Sequence, residues 1–412
     1  MTPGRTPLEG AYAPALGGSG VLKDRSALEE LQETRRRALV RRAAHASPFY
    51  ALRLRGKEDL PQEELPFTLP SDLAGREGAF LTVSQSEVAR IVTLATSGST
   101  GPPKSICFTG ADLAATREFF RVGLTTFTPP GSRVAVLFAG ERSGSVGALL
   151  RDAVAAGGGI AEVLGTGEDP RQSAARLDAF RPHVVVGIPE ELLRVARAAR
   201  HVPDAVLASG DMLPPALRRR IADRWPGELY AHYGLTEAGW GVALECDAHE
   251  GAHLREWDLL TEIVSPEGYP VAHGQWGEVV LTTLTRPTFP LIRYRTGDEG
   301  RLLPGVCPCG SLLRRLEVRG RLGTAEAPGL YDAAEILWSV PELEDFRVGF
   351  GEPFRNVVLE LTPQVGDAIP EDRLRRALGA LGSPWGDVVL RTVSGPSPVL
   401  RRPKRGWERL SG

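Results

Sequence analysis

Between about residue 89 and residue 225, short apolar runs rich in β-branched residues alternate with longer segments rich in Ala, Arg and Leu. The apolar runs have the length and residue types of buried strands, and the longer segments have helical patterns. The strand-like runs are 134–138, 184–186 and 205–208, and the helical segments are 145–156, 171–180, 190–200 and 214–225. Since parallel strands need crossover connections, usually helices, this alternation predicts an α/β fold with parallel strands.

The flanking regions have different patterns. Residues 26–54 have the pattern of one surface helix, and residues 254–303 form strand-like runs separated by Gly and Pro turns. We expect those runs to form a second, more antiparallel sheet or barrel. The length of 412 residues exceeds one ordinary core. We therefore expect a large domain at 1–322, beginning with a loose leader at 1–25, and a small domain at 323–412.

Composition and charge exclude several classes of protein. The formal net charge is -2, with 49 basic and 51 acidic residues, so no overall field attracts nucleic acid or an anionic membrane. Uncharged apolar runs fall well short of the roughly 20 residues that a membrane-spanning helix needs. The N-terminus also lacks the apolar core of a signal peptide. We expect a cytoplasmic protein with neither nucleic-acid nor membrane partners. The sequence leaves open whether the protein forms a homodimer.

One segment has the features of a phosphate-binding loop. It runs TSGSTGPPK over residues 96–104 and follows an apolar run. Its glycines permit a sharp turn whose N–H groups converge on an anion, and its hydroxyls add donors. Lys104 is one of only four lysines among 49 basic residues, which indicates a position that needs a compact ammonium. The alternative is a solvated turn without a ligand.

Further segments, in order along the chain, resemble the adenylate-forming superfamily. The loop matches its [ST]SG[ST]TGxPK pattern, YGLTE at 233–237 matches YGxTE, and YRTGD at 294–298 matches Y[RK]TGD. RGR at 319–321 resembles the start of its hinge motif, and CPCG at 307–310 is most similar to phenylacetate–coenzyme A ligases. The resemblance covers about residues 90–322. It implies a large adenylate-forming domain of mixed sheets, helices and a barrel-like part, followed by a small mobile α+β domain.

The resemblance also implies roles for residues on the phosphate side of the site. Ser97, Ser99, Thr100 and Lys104 would hold the β- and γ-phosphates of ATP. Thr236 would hydrogen-bond the α-phosphate. Glu237 would ligate Mg²⁺, an ion that prefers hard oxygen ligands. The predicted catalytic residues are Lys104, Thr236 and Glu237, together with Lys404 near the C-terminus.

On the nucleoside side, the resemblance implies that Tyr233 lies near adenine and that Asp298 and Arg321 bind the ribose. Gly210 and Asp211 follow a predicted strand and resemble the segment that lines adenine. The full predicted nucleotide-binding set is Thr96, Ser97, Gly98, Ser99, Thr100, Gly101, Gly210, Asp211, Tyr233, Gly234, Asp298 and Arg321. The alternatives are that Glu237 and Asp298 are ordinary turn acids and that Asp211 belongs to a strand-end turn capping the next helix.

The acyl pocket has weaker support. By the resemblance it lies near Phe138, before Gly210 and after the YGxTE motif, which makes Phe138, Ala208 and Trp240 its candidates. An aromatic side chain there suits a ring-bearing acid, and ordinary packing is an equal alternative for Trp240.

The cysteines suggest a metal site. Cys307 and Cys309 are one residue apart, and upstream Cys246 is followed by His249 and His253. Three thiols and one imidazole make a tetrahedral set typical of structural Zn²⁺. The segment GAHLREWD resembles the corresponding segment of zinc-binding relatives, which favours His253 over His249. The alternative is a group of reduced buried thiols, as we expect for Cys107.

The resemblance weakens in the small domain. Gly323 stands where the family's hinge aspartate is expected, and Lys404 alone fits the terminal catalytic lysine. In the family that lysine serves adenylate formation. We therefore expect ATP-dependent activation of a small carboxylic acid, followed by transfer to coenzyme A. Two alternatives stay open, transfer to a carrier-protein thiol or an amine, and a non-catalytic nucleotide-binding relative.

Overall fold

A computed structural model describes residues 5–12, 22–94, 103–167, 169–323, 329–350, 357–364, 367–382, 385, 388–393 and 408–409. Within these ranges the strands form sheets of 11, four and two strands. No helix in the described part of the chain is both long enough and apolar enough to cross a bilayer.

The described helices and strands are numbered in chain order. The helices are α1 (Pro7–Tyr12), α2 (Ser26–Ala46), α3 (Pro48–Leu54), α4 (Pro70–Leu73), α5 (Glu77–Phe80), α6 (Gly110–Leu124), α7 (Val146–Ala156), α8 (Pro170–Phe180), α9 (Pro189–Ala198), α10 (Pro215–Ala222), α11 (Tyr331–Trp338) and α12 (Glu371–Gly379). The strands are β1 (Val88–Leu94), β2 (Lys104–Thr109), β3 (Arg133–Leu137), β4 (Ile160–Val163), β5 (Val184–Gly187), β6 (Ala205–Ser209), β7 (Glu228–Tyr233), β8 (Ala243–Glu245), β9 (Ala252–Leu254), β10 (Leu259–Val264), β11 (Gly277–Thr283), β12 (Tyr294–Leu302), β13 (Arg315–Arg321), β14 (Leu343–Phe350), β15 (Val357–Pro363), β16 (Val389–Thr392) and β17 (Glu408–Arg409).

Parallel strands make up one half of the large sheet, in the order β4-β3-β5-β6-β7. Their side chains alternate between two cores. Val134 and Val184 pack with α6 and α7, whereas Ala135 and Val185 pack with α8, α9 and α10. The α/β class predicted from the strand–helix alternation is confirmed.

The predicted antiparallel region is present, but it is not a separate sheet. After β7 a tight turn returns the chain, and the backbone N–H of Val242 donates to the carbonyl oxygen of Tyr233 over 3.1 Å. This return pairs β8 antiparallel with β7. The ladder then continues through β9, β13, β12, β11 and β10. The long-range pairing of β9 with β13 is what joins the two halves into one sheet of 11 strands.

The N-terminal region differs from the sequence prediction at two points. The single helix expected over 26–54 is two helices, because Pro48 begins α3 and Ser47 caps it, accepting the N–H of Tyr50 over 3.3 Å. The expected loose leader at 1–25 includes helix α1, whose Leu8 is fully buried in the core beside α6. Its Glu9 carboxylate is also buried and accepts from the Ser311 hydroxyl.

The C-terminal region forms its own four-stranded sheet, in the order β16-β15-β14-β17. Its helix α11 packs on α10 of the large region, and Trp338 and Phe346 share one hydrophobic core with Leu217. The Arg220 guanidinium on α10 donates to several main-chain carbonyls of this region. The acceptors are the carbonyl oxygens of Trp338, Val340, Pro341 and Leu343.

Candidate active site

The strand order defines where a ligand is expected. From β3 the chain passes through α7 to β4 on one side, and then through α8 to β5 on the other side. The order therefore reverses between β3 and β5, and ligands of open α/β sheets bind beyond the carboxyl ends of the strands at such a point. Gly210, just after β6, lies at this edge with a φ of +95°. A Cβ built there would lie 3.5 Å from Ile188 and 3.6 Å from Phe138.

A buried carboxylate is held by a lysine and a tyrosine at the same edge. Glu237 lies on the short 3-10 turn Thr236–Ala238 after β7. Its Oε1 accepts from the Lys104 ammonium and, over 3.0 Å, from the Tyr294 hydroxyl. Burial opposes ionisation of Glu237, but the Lys104 ammonium holds its pKa below the ordinary value. The three side chains come from three segments distant in sequence, and the structure brings these predicted motif residues together.

A second carboxylate lies at the start of the antiparallel half. Asp298 is 1% exposed, and its Oδ2 accepts from the Tyr233 hydroxyl over 2.6 Å. Arg321 faces Asp298 across the β12–β13 ladder, with 3.5 Å between its Nη1 and Asp298 Oδ1. Its Nη1 also donates to the carbonyl oxygen of Thr296 over 2.9 Å. The predicted ribose residues are therefore adjacent, and the hydroxyl of Tyr233 connects them to the YGLTE segment.

The YGLTE turn has no space for a side chain at Gly234. A Cβ at Gly234 would lie 1.7 Å from the carbonyl oxygen of Trp240, which is a main-chain atom and cannot move aside easily. Trp240 itself has a φ of +64°, a conformation uncommon for a bulky residue. Its N–H donates to the carbonyl oxygen of Leu235 over 2.9 Å. Gly234 is thus required for the close approach that shapes the turn carrying Glu237.

An arginine that the sequence did not reveal supports this turn. The buried Arg286 guanidinium donates to the carbonyl oxygen of Glu237 over 2.5 Å and to that of Cys107 over 2.7 Å. Its carbon lies 4.1 Å from the ring centroid of Phe108, and that ring stacks on Trp240 at 4.4 Å. Burial lowers the pKa of Arg286 to about 10, so the group stays charged at neutral pH. No motif contains Arg286, and only the fold reveals its contact with Glu237.

Comparison with known proteins identifies the family. Residues 83–284 match the model of the AMP-binding enzymes. The phenylacetate–coenzyme A ligase of Thermus thermophilus is 33% identical over 315 residues, which cover 69% of this chain and 68% of that protein. The chain belongs to the phenylacetate–coenzyme A ligase family. The family's enzyme from Escherichia coli is 42% identical over 110 residues, covering 26% of this chain and 24% of that protein.

A solved structure has the same fold as this member of the phenylacetate–coenzyme A ligase family. It is 2-hydroxyisobutyryl-CoA ligase in the postadenylation state in complex with 2-HIB-AMP, with a TM-score of 0.78 and 18% identity. The match covers 95% of this chain and 91% of that protein. At this level of identity the likeness establishes the fold alone.

Several predicted residues of this family member lie outside the described ranges, and two others lie in turns. Lys404 and the loop residues Thr96, Ser97, Gly98, Ser99, Thr100 and Gly101 lie outside the described residues. The strands flanking the loop pair Leu94 with Lys104. Asp211 accepts the N–H of Met212 over 2.7 Å in the turn before α10, and Thr236 is partly exposed at the start of the Glu237 turn.

The structure divides the three acyl-pocket candidates. Phe138 and Trp240 both border the core next to α6. Ala208 lies on the opposite face of the sheet, in the core formed with α9 and α10. Because alternate strand residues face opposite sides, Ser209 points to the side of Phe138. Ser209, and not Ala208, therefore lies on the same face of the sheet as Phe138.

The three cysteines and His253 come together away from this edge. Their ligand atoms all lie within 4.8 Å of one another, and all four residues are buried. Cys246 Sγ lies 3.7 Å from Cys307 Sγ, and Cys309 Sγ lies 3.4 Å from His253 Nε2. His253 Nδ1 lies 3.3 Å from the carbonyl oxygen of Leu313, which fixes the ring.

The other histidine weighed for this cluster lies elsewhere. The ring nitrogens of His249 lie 3.0 Å from the Glu228 carboxylate and 3.4 Å from that of Glu245. His253, and not His249, therefore completes the cluster. Cys107 is separate from it, buried on β2, and burial raises the pKa of its thiol.

Proposed function

We propose that the protein is an ATP-dependent, AMP-forming ligase that converts a small carboxylic acid, with aromatic acids in range, to its coenzyme A thioester. The observation that carries the proposal is that the YGLTE segment contacts two other motifs through buried carboxylates. Glu237, at one end of the segment, accepts hydrogen bonds from Lys104 and Tyr294. Tyr233, at the other end, donates to Asp298 on β12. Family membership supports the reaction type.

The first half-reaction joins two anions. A carboxylate oxygen of the acid attacks the α-phosphorus of ATP, a new O–P bond forms, and the bond from that phosphorus to pyrophosphate breaks. Cationic groups must offset the negative charge that gathers at phosphorus. Lys104 supplies one such charge, since its ammonium already lies at this edge of the sheet, beside Glu237, and can pair with a phosphate instead.

Glu237 suits a Mg²⁺ ligand. It is an ionised oxygen ligand whose charged form burial alone would disfavour, and in this structure the Lys104 ammonium supplies its counter-charge. When bound, Mg²⁺ would offset the negative charge of the phosphates of ATP. Tyr294 would keep the carboxylate oriented through its 3.0 Å hydrogen bond.

In this proposal the chain has a large domain at 1–322 and a small domain at 323–412, and the small domain serves the second half-reaction. Coenzyme A attacks the acyl carbon as its thiolate, a C–S bond forms, and AMP leaves with the electrons of the C–O bond. Lys404 would serve only the first step, where an ammonium bridges the acid carboxylate and the α-phosphate. A guanidinium is a poor substitute for such a compact charge.

The test is acid-dependent exchange of pyrophosphate into ATP, over a panel of aliphatic and aromatic acids. Glu237→Gln should lose most of the exchange because it loses the metal ligand. Glu245→Gln is the matched control, since Glu245 is also a buried carboxylate paired with a cation, Arg218, at 2.8 Å. It should lower stability and retain the exchange.

The outcomes separate the candidate functions. Exchange with any acid, followed by thioester formation with coenzyme A, supports the proposal. Exchange without a thioester would replace coenzyme A with a carrier-protein thiol or an amine as acceptor. No exchange with any acid of the panel would leave a non-catalytic nucleotide-binding relative.

We further propose that Cys246, His253, Cys307 and Cys309 bind one structural Zn²⁺. Tetrahedral geometry with Zn–S bonds of about 2.3 Å separates two sulfurs by about 3.8 Å, and separates a sulfur from an imidazole nitrogen by about 3.5 Å. The cluster has 3.7 Å and 3.4 Å for these separations. The ion would join β9 to the β12–β13 connection.

Metal analysis of purified protein tests the zinc site. About one Zn²⁺ per chain is expected, and Cys309→Ser should lose it together with thermal stability, since metal binding is coupled to folding. Cys107→Ala, which alters a buried thiol outside the cluster, should keep the metal. Folded, chelator-washed wild-type protein without zinc would contradict the assignment.

A further inference from the structure

A carboxylate of the small C-terminal region caps a helix of the large region. Helix α10 begins at Pro215, and its N-cap residue, Pro214, has no side chain that accepts a hydrogen bond. Pro215 lacks an N–H, so Ala216 carries the first main-chain N–H of the helix. This N–H donates over 2.6 Å to Oε2 of Glu335, which lies on α11, 119 residues further along the chain. The start of α10 is therefore satisfied by a contact between the two regions.

The contact is a favourable one for a helix N-terminus. The unpaired N–H groups and the dipole of a helix favour a negative group there, and a carboxylate forms strong hydrogen bonds with main-chain N–H groups. The other carboxylate oxygen of Glu335, Oε1, accepts from Arg219 Nη2 over 2.9 Å. The Arg219 side chain is 64% exposed, so this ion pair should contribute little. The cap is therefore the stronger of the two contacts of Glu335.

Neighbouring contacts hold α11 so that Glu335 faces α10. Tyr331, Glu335 and Trp338 have the spacing of residues on one face of a helix. The guanidinium carbon of Arg319 lies 5.5 Å from the ring centroid of Tyr331, and that of Arg220 lies 5.4 Å from the nearest ring centroid of Trp338. Contacts with the large region thus flank Glu335 about one helical turn away on either side.

The segment 210–214 joins β6 to the capped start of α10, and it contains the predicted adenine residues Gly210 and Asp211. It begins at the carboxyl edge of the sheet, where the strand order predicts a ligand. Its last residue and the first residue of α10 are both proline, and proline restricts its own φ and the conformation of the residue before it. A displacement of the α10 N-terminus should therefore also displace this segment.

We propose that Glu335 is a positioning residue for nucleotide binding, which caps α10 from the small region and so holds the segment 210–214 in place. This role rests on the proposed function, since the segment contacts a nucleotide only if the protein binds ATP. It makes the docking of the small region and the binding of nucleotide interdependent. By linkage, each should favour the other by the same factor.

Nucleotide affinity measures the positioning effect. Glu335→Ala removes the cap, whereas Glu335→Gln keeps a side-chain oxygen that can accept the Ala216 N–H. Loss of a helix cap disfavours the capped arrangement by a factor of about 2 to 30. We expect Glu335→Ala to raise the Kd for AMP, measured by calorimetry, and the KM for ATP in pyrophosphate exchange by a factor in this range. The kcat should be nearly unchanged, and Glu335→Gln should retain most of the affinity.

Two control variants separate the cap from other effects. Arg219→Ala removes the exposed ion pair and leaves the cap, so it should keep the wild-type affinity for AMP. Glu360→Ala removes a carboxylate inside the small region, which pairs with Arg347 over 3.0 Å across the β14–β15 ladder. This variant should lower stability without changing the Kd for AMP.

Amide hydrogen exchange tests the linkage between the two regions. In wild type, AMP should slow exchange in α11, although no predicted nucleotide-binding residue lies on that helix. Glu335→Ala, measured at saturating AMP, should lose most of this protection, whereas Glu360→Ala should keep it. A purely structural role for Glu335 would instead speed exchange in α11 equally with and without AMP, and that result would overturn the inference.

The affinity measurements can also overturn it. An unchanged Kd for AMP in Glu335→Ala would show that the cap does not position the segment. An equal loss of affinity in Arg219→Ala or Glu360→Ala would assign the effect to the ion pair or to general destabilisation. Wild-type protein that binds AMP but supports no exchange with any acid would overturn the proposed function alone, because the Kd for AMP still decides the role of Glu335. Wild-type protein that binds no AMP would overturn both.

Discussion

Tyr294→Phe is the substitution that tests the carboxylate cluster most cleanly. It removes one hydroxyl and changes little else, since the ring stays in the hydrophobic core. That hydroxyl donates to Glu237 Oε1 over 3.0 Å and lies 3.4 Å from Lys104 Nζ. Tyr294 is 1% exposed, so bulk water cannot readily replace the lost donor. After the substitution, Lys104 is the remaining side-chain partner of that oxygen among the described contacts.

The magnitude follows from the type of bond. A hydrogen bond to an ionised group contributes about 1.5–3 kcal/mol, which corresponds to a factor of about 10 to 150 in an equilibrium constant. If Glu237 ligates Mg²⁺, the loosened carboxylate should bind the ion that much more weakly. We expect the Mg²⁺ concentration at half-maximal exchange to rise by about tenfold or more, with KM for the acid nearly unchanged.

The assay is pyrophosphate exchange at saturating ATP and acid, titrated with Mg²⁺, together with equilibrium binding of Mn²⁺ to the nucleotide complex. Tyr230→Phe is the matched control, because Tyr230 also donates to a carboxylate, Asp247 Oδ1 at 2.9 Å, away from Glu237. It should lower stability by a similar amount without shifting the metal dependence. An unchanged Mg²⁺ requirement in Tyr294→Phe, or an equal shift in Tyr230→Phe, would refute the reasoning.

Three other substitutions test the turn, the docking of the small region and the terminal lysine. Gly234→Ala should lower the free energy of unfolding by about 1–3 kcal/mol through overpacking and abolish exchange. Gly110→Ala, with nothing within 4 Å of its built Cβ, should do neither, and equal denaturation midpoints for the two variants would contradict the prediction. Arg220→Ala should lower the free energy of unfolding, measured by chemical denaturation, by at least about 1.5 kcal/mol, because main-chain carbonyls lose a charged donor. Arg219→Ala, whose side chain is 64% exposed, should lower it by less than about 1 kcal/mol, and similar losses in the two variants would show that Arg220 does not hold the small region. Lys404→Ala should slow adenylate formation by about 100-fold or more and leave the conversion of a synthetic acyl-adenylate to thioester nearly intact; wild-type rates in both half-reactions would exclude the role.

Local patterns in the sequence predicted most of the parallel half of the fold, and the family resemblance supplied the two carboxylates of the candidate site. Strand–helix alternation depends on residues close together in the chain, and it predicted β3, β5 and β6 and helices α7 to α10 correctly. Glu237 and Asp298 stand inside short motifs whose order along the chain is itself informative. The structure then brings Lys104 into contact with Glu237 across 133 residues of sequence, a contact that the resemblance did not specify.

Features set by long-range contacts were not predictable in the same way. No local pattern signals that β9 pairs with β13, so the antiparallel strands were expected in a separate sheet. The choice between Ala208 and Ser209 depends on where β6 begins, since a shift of one residue exchanges the two faces. Arg286 has no motif around it, and its value lies entirely in contacts with Glu237 and Phe108.

The turn from β7 to β8 shows why these two kinds of information meet at one site. Within residues 233–240, Tyr233 reaches Asp298, Glu237 reaches Lys104, and Trp240 stacks on Phe108. One short segment therefore borders the predicted ribose, metal and acyl positions, and it can do so only because Gly234 lets the Trp240 carbonyl approach its backbone. A change that displaces the turn must alter all three positions together. A substitution at a single partner should instead affect one position, which is why Tyr294→Phe is expected to change the metal dependence while KM for the acid stays nearly unchanged.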